Sequence, residues 1–180
     1  WTRDVEAAKV SERITLGDIL QDEGPDTEPF LIPGHQLGAW RTLKGAKDIE
    51  RCHKASGTAY TYSEGALPFP DPLDRPARTI LTGEGGSSPS RFKHVVERCG
   101  RYRRLTPIEL ERLNGFPDGW TEGMTSGRRA FCMGNALVVG LVSKVGRVLA
   151  EDQVSWVRGR ASNDKAGASE HQSMDEAVVV

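Results

Sequence analysis

Long apolar runs are missing from this sequence. No uninterrupted stretch of about eighteen apolar residues, the length that marks a spanning helix, occurs in its 180 residues, so no transmembrane helix is expected. Cysteine is scarce: Cys52, Cys99 and Cys132 are odd in number, widely spaced and form no C-x-x-C pair. That argues against a disulfide framework or a zinc knuckle, and makes a reducing cytoplasm the expected compartment. Trp1 to Glu12 is charged and lacks an apolar h-region, so no signal peptide is expected. The chain starts at Trp1 rather than Met, which suggests a trimmed or excised piece. Apolar content is modest, 37%, with a mean hydropathy of −0.47, so part of the chain is expected to be loop or tail rather than core.

The usual signatures of chemistry are missing as well. Neither G-x-x-x-x-G-K-[ST] nor a Rossmann-type G-x-G-x-x-G occurs, which speaks against a nucleotide-triphosphate site. There is no G-x-S-x-G and no paired-carboxylate constellation, and His35, His53, His94 and His171 share no metal-ligand spacing with one another or with the cysteines. Cys52 precedes His53, but neighbours in an extended segment point to opposite faces. Cys132 lies between Phe131 and Met133 and reads as core. The chain's own residues supply no catalytic site and no metal site.

Charge is present but uneven. The formal net charge is −1, yet Arg75, Arg78, Arg91, Lys93, Arg98, Arg101, Arg103 and Arg104 face only Glu84 and Glu97 in one stretch. Such a zone fits a nucleic-acid partner or a solvated surface. Within it, Thr82-Gly83-Glu84-Gly85-Gly86-Ser87-Ser88-Pro89-Ser90-Arg91 forms a Gly/Ser loop. Its amides and small hydroxyls can approach a surface closely. With Glu84, Arg91 and Lys93 it suits a DNA groove, cations positioning it on phosphates and side chains touching base edges; a plain surface loop has the same composition.

Regular elements are few. Gly57 to Tyr62 and Arg78 to Thr82 have strand composition, separated by Pro68, Pro70, Pro72 and Pro76. Thr106-Pro107-Ile108-Glu109 is a capping box with proline at the first helical position, and Gly115 and Pro117 supply the stop. A second helix is predicted from about Asn135 to Leu149, capped by Gly134-Asn135. Its first half, Ala136 to Val142, is apolar on all sides and so requires burial between layers. After Glu151 the composition turns polar and aperiodic, and disorder is expected.

The order of these segments resembles one family. Arg104 to Trp120 (RLTPIELERLNGFPDGW) resembles the ninth motif of the bacterial-type cytosine-C5 DNA methyltransferases. Met133-Gly134-Asn135-Ala136-Leu137-Val138-Val139, continuing to Leu149, is similar to their tenth motif. Arg78 to Arg91 is similar to the second recognition loop of the target recognition domain, and Lys54 to Glu64 sits where the first would be. The resemblance implies an α+β fragment with four parts: a linker at 1–17, a loop-rich β target-recognition domain at 18–103, the two motif helices at 104–149 and a tail at 150–180.

It further implies a Rossmann-type lobe outside this chain that binds S-adenosylmethionine, and a cytosine flipped from the duplex into the cleft between lobes. The family's Pro-Cys and Glu-Asn-Val motifs do not occur here. What carries over is duplex-DNA binding by Thr82, Glu84, Gly85, Gly86, Ser87, Ser88, Arg91 and Lys93. Asn135 and Ala136 would lie near the cofactor, although Asn135 also reads as a plain helix cap. The last helix would pack on the catalytic lobe, or on a separate catalytic subunit if the enzyme is naturally split. A stand-alone DNA-binding module is the rival reading.

Overall fold

The structure, a computed structural model, describes residues 13 to 151. Within these it is a mixed α and β protein with two small antiparallel sheets, in keeping with the α+β expectation. Contacts divide it into two compact units. One runs from residue 10 to 138, and residues 139–151 belong to the other.

The first unit begins with short 3-10 turns at Gly17–Ile19, Glu28–Phe30 and Gly34–Gln36, the last leading into helix α1, Leu37–Lys44. Strands β1 (Lys47–Cys52) and β2 (Ala59–Glu64) pair in register from Lys47 opposite Glu64 to Cys52 opposite Ala59. Strands β3 (Val96–Arg98) and β4 (Arg101–Arg103) form a second hairpin. Its two-residue turn has positive φ at both Cys99 (49°) and Gly100 (71°), the turn whose twist suits a tight hairpin. Helices α2 (Pro107–Leu113) and α3 (Ser126–Asn135) close the unit.

Burial explains the architecture. Leu16, Ile19, Val96, Leu105, Leu110, Ala130 and Met133 share one apolar core, while Ile32, Trp40 and Val95 form a second with Leu37, Phe69 and Tyr102 around it. The larger core therefore joins the N-terminal 3-10 turn, β3, α2 and α3. The second core holds α1, which composition did not suggest because only Leu37, Trp40 and Leu43 mark its apolar side.

Two element predictions are corrected. Arg78 to Leu81 belongs to no strand and Thr82 opens a turn; the segment is held by its side chain, the Arg78 guanidinium binding Asp71 and the carbonyls of Phe92 and Lys93. The helix expected from about Asn135 to Leu149 begins later, at residue 139, and is preceded by α3, which the sequence did not suggest. Asn135 ends α3, Ala136 turns out of helical backbone at ψ 152°, and helix α4 starts at residue 139 and is described to residue 151. The segment Ser126–Glu151 is long and apolar enough in composition to cross a membrane, but residues 136 to 138 break it. Residues 1–12 and 152–180 lie outside the described residues, and with them most of the expected linker and tail; Ala150 and Glu151 are helical.

The capping box at α2 is present as the sequence predicted. Thr106 Oγ1 accepts from the Glu109 amide at 3.2 Å and Glu109 Oε2 accepts from the Thr106 amide at 2.8 Å. Glu109 does more than cap. It takes both terminal nitrogens of fully buried Arg103, at 2.8 and 2.9 Å, while Arg103 Nε donates to Glu23 at 2.7 Å. A bidentate pair of this kind fixes orientation as well as distance, so β4, α2 and the N-terminal segment are locked in one register.

Candidate nucleic-acid interface

The Gly/Ser loop is built around cations from within. Lys93, only 8% exposed, donates to the carbonyls of Gly86 and Ser88, both at 2.8 Å. Arg104, also buried, donates to the carbonyls of Gly85 at 3.3 Å and Gly86 at 3.1 Å. Burial, and then the neighbouring Arg104 charge, hold the Lys93 ammonium below its ordinary pKa; the Glu84 carboxylate opposes them. Glu84 is 3% exposed and accepts from the His94 amide at 2.5 Å, with the His94 ring nitrogen Nδ1 at 3.0 Å from the same oxygen.

Glu84 and Lys93, expected at a DNA surface, are thus turned inward. For Lys93 the physical reason is that a tight loop crowds its carbonyls on the inner side, and these require donors; for Glu84 it is the buried His94 amide, which requires an acceptor. Gly85 is likewise internal: a methyl added there would stand 2.7 Å from the Ala130 Cβ. Thr82, Gly86, Ser87 and Ser88 remain at the surface, together with half-exposed Phe92.

Arg91 does not extend outward either. Its guanidinium donates to the carbonyls of Leu43 at 3.1 Å, Gly45 at 2.8 Å and Gly65, and its Nε lies 3.4 Å from Glu64. These groups form the root of the β1–β2 hairpin. Arg91 therefore bolts the end of the Gly/Ser loop to that hairpin. Nearby, Asp71 joins α1 to the same region. Its Oδ1 takes Arg78 Nε at 2.7 Å, and its Oδ2 takes Lys44 Nζ at 3.0 Å and the Val95 amide at 2.8 Å. Burial by itself would raise the Asp71 pKa, but those three donors outweigh it and hold the carboxyl below its ordinary value. Lys44 is lowered by burial, partly offset by Asp71.

The basic zone in the sequence is consequently mostly scaffold. Arg78, Arg91, Lys93, Arg103 and Arg104 all point at internal acceptors. Arg75 and Arg101 of the zone stay exposed, and the β1–β2 hairpin adds exposed Arg51 and Lys54, interleaved with Asp48 and Glu50. Nearly every residue from Asp48 to Thr61 is exposed, so the hairpin projects with both faces in solvent. It carries Arg51 stacked over Tyr62 at 3.9 Å, His53 beside Tyr60 with ring centres 5.1 Å apart, and Lys54 in the turn. A two-stranded ribbon of this size fits a major groove about 12 Å wide.

Asn135 and Ala136 sit together at the end of α3. Asn135 is exposed and its amide nitrogen donates to the Phe131 carbonyl at 2.9 Å, so it closes α3 rather than capping the helix that follows. Ala136 is partly buried against the larger core.

Comparison with known proteins bears on this geometry. A profile described as C-5 cytosine-specific DNA methylase matches residues 11–151. The type II methyltransferase M.Sau3AI of Staphylococcus aureus is 47% identical over 138 residues, which cover 77% of this chain and 32% of that protein. The chain thus spans about a third of its relative's length. On the extent of these matches, the chain belongs to the C-5 cytosine-specific DNA methylase family.

Proposed function

We propose that this chain is the DNA-reading, C-terminal portion of a cytosine-C5 DNA methyltransferase. It selects a duplex sequence for a catalytic lobe that transfers the methyl group of S-adenosylmethionine to C5 of a flipped cytosine. The observation that carries this reading is a family match spanning residues 11–151 in a sequence that holds neither the Pro-Cys nor the Glu-Asn-Val motif. The relative is named a type II methyltransferase and is about three times as long as the matched region, which leaves room for a lobe bearing those motifs.

Two surfaces would meet DNA. The outward edge of the Gly/Ser loop, Thr82, Gly86, Ser87 and Ser88, offers amides and hydroxyls, while Arg51, His53, Lys54 and Tyr60 on the hairpin offer charge and aromatic faces. Phosphate contacts position such a surface and base-edge contacts give it selectivity. Asn135 and Ala136 would form one wall of the cofactor pocket, with the methyl donor held mainly by the other lobe. The apolar stripe of α4, including Leu141 and Val145, would pack on that lobe.

Complementation tests the reading. This chain is mixed with a catalytic half carrying the missing motifs, and transfer of labelled methyl groups to duplex DNA is measured. Transfer that requires both pieces is expected. DNA binding by this chain without any transfer would indicate a stand-alone binding module instead.

A further inference from the structure

Helix α3 carries glycine at 127 and 134 and alanine at 130, spaced at three and four residues and so along one face. The Gly/Ser loop lies directly on that face. A methyl added to Gly134 would stand 2.4 Å from the Thr82 amide nitrogen and 2.5 Å from the Leu81 carbonyl carbon. One added to Gly85 would stand 2.7 Å from the Ala130 Cβ and 3.0 Å from the Gly127 Cα. These are contacts with backbone and with a Cβ, which no rotamer change relieves.

The helix itself is firmly held. Thr125 caps it, accepting from the Arg128 amide at 3.4 Å. Arg129 donates to Glu111 at 2.8 Å and to Thr121 at 2.9 Å, and Asn114 donates to the Met133 carbonyl at 2.9 Å. On the far side of the loop, Arg104 and Lys93 draw in its carbonyls. The loop is thus clamped between a helix and two buried cations.

We infer that Ala130 and Gly134 are specificity-determining positioning residues: α3 is the seat that fixes the height of the Gly/Ser loop against DNA. The inference rests on the proposed DNA-reading function. A groove-reading contact operates within a few tenths of an ångström of hydrogen-bond distance, so an added methyl group under the loop displaces Ser87 and Ser88 by more than recognition tolerates. The projecting part of the hairpin makes none of the contacts in this seat, so general DNA affinity is expected to fall less than selectivity.

The test uses the assembled enzyme, labelled cofactor and plasmid DNA of mixed sequence, with methylated positions mapped by sequencing. Gly85→Ala is expected to lower the ratio of methylation at the preferred site to that elsewhere by about tenfold, while affinity for non-specific duplex and for cofactor alone stays within about twofold. Adding Ala130→Gly to Gly85→Ala removes the opposing methyl and is expected to restore most of the ratio; a merely structural defect would lower preferred-site and other methylation together and leave the ratio unmoved. An unchanged ratio in Gly85→Ala, or no recovery in the double variant, overturns the inference. Should Gly85→Ala not fold, Ala130→Gly alone decides: a lowered ratio supports the seat and an unchanged ratio overturns it. A parent enzyme that transfers no methyl groups at all would instead overturn the functional reading itself.

Discussion

Asp71 shows how much of this protein's stability is entrusted to single polar groups. It is 3% exposed, and its two oxygens receive Arg78, Lys44 and the Val95 amide. Removing one partner of a buried ion pair leaves the other charged and undersolvated, at a cost of about 3–5 kcal/mol, so Asp71→Asn is expected to lower the unfolding free energy by that amount. The sign of the pH dependence follows from its lowered pKa. A depressed carboxyl contributes stability above its unfolded value, about 3.9, and loses it as pH falls through the folded value. Glu111 behaves likewise: burial would raise it, but Thr121 and Arg129 hold it down. Stability from these groups should be flat from neutral pH to about 5 and fall below about 4, with a shallower fall in Asp71→Asn; urea titrations across that range check it.

Arg91 is the second residue-scale case. Bound to three carbonyls at the hairpin root, it should cost about 1–3 kcal/mol when replaced by lysine, because an ammonium cannot span a fork that a guanidinium fits. A pure base-reading arginine would leave the stability of the DNA-free protein unchanged. At this scale the sequence was least legible. It displayed the cations of the basic zone, but only the fold shows that carbonyls of Gly86, Ser88, Leu43 and Gly45 lie opposite them.

Among the elements, α2 was readable and α3 was not, for reasons visible in their residues. The capping box, proline at the first position and leucines at 110 and 113 all act locally, so the sequence suffices for α2. In α3, Gly127 and Gly134 each disfavour helix by about 1 kcal/mol relative to alanine, and that penalty is overridden by packing against Leu81, Thr82 and Gly85. The β3–β4 turn carries a similar conflict, with Cys99 at φ 49°, where a non-glycine side chain is strained and asparagine is better tolerated. Cys99→Asn is therefore expected to raise stability by about 0.5–1 kcal/mol, seen as a higher melting temperature. The β1–β2 hairpin gives the element-scale prediction for binding. If Arg51 and Lys54 each neutralise one phosphate, replacing either with alanine should reduce the salt slope of DNA binding by about one. Affinity should weaken similarly for all sequences, in contrast to changes in the Gly/Ser loop.

For the whole molecule, the family motifs carried most of the functional information, while the packing that joins distant segments, as Leu16, Val96, Leu110 and Met133 do in one core, was not legible in the sequence. The sequence also called for a buried apolar helix, and α4 carries Leu141, Val142, Val145 and Leu149 along one side, with Leu141 61% exposed. At about 1.5–3 kcal/mol for each fully buried aliphatic side chain, such a stripe represents a contribution comparable with the net stability of a domain. If a catalytic lobe covers it, Leu141→Asp and Val145→Asp should separate folding from assembly. At exposed positions they should change this chain's own stability by about 0.5 kcal/mol or less, and an aspartate at 141 lies in the first turn of α4, where the helix dipole favours negative charge. Methyl transfer with the catalytic half should nevertheless be lost, because a carboxylate would have to be buried in the joined structure. Circular-dichroism melts of the chain alone, run beside the complementation assay, distinguish the outcomes: normal melting with no transfer supports the covered stripe, and normal melting with full transfer shows that the lobe is held elsewhere.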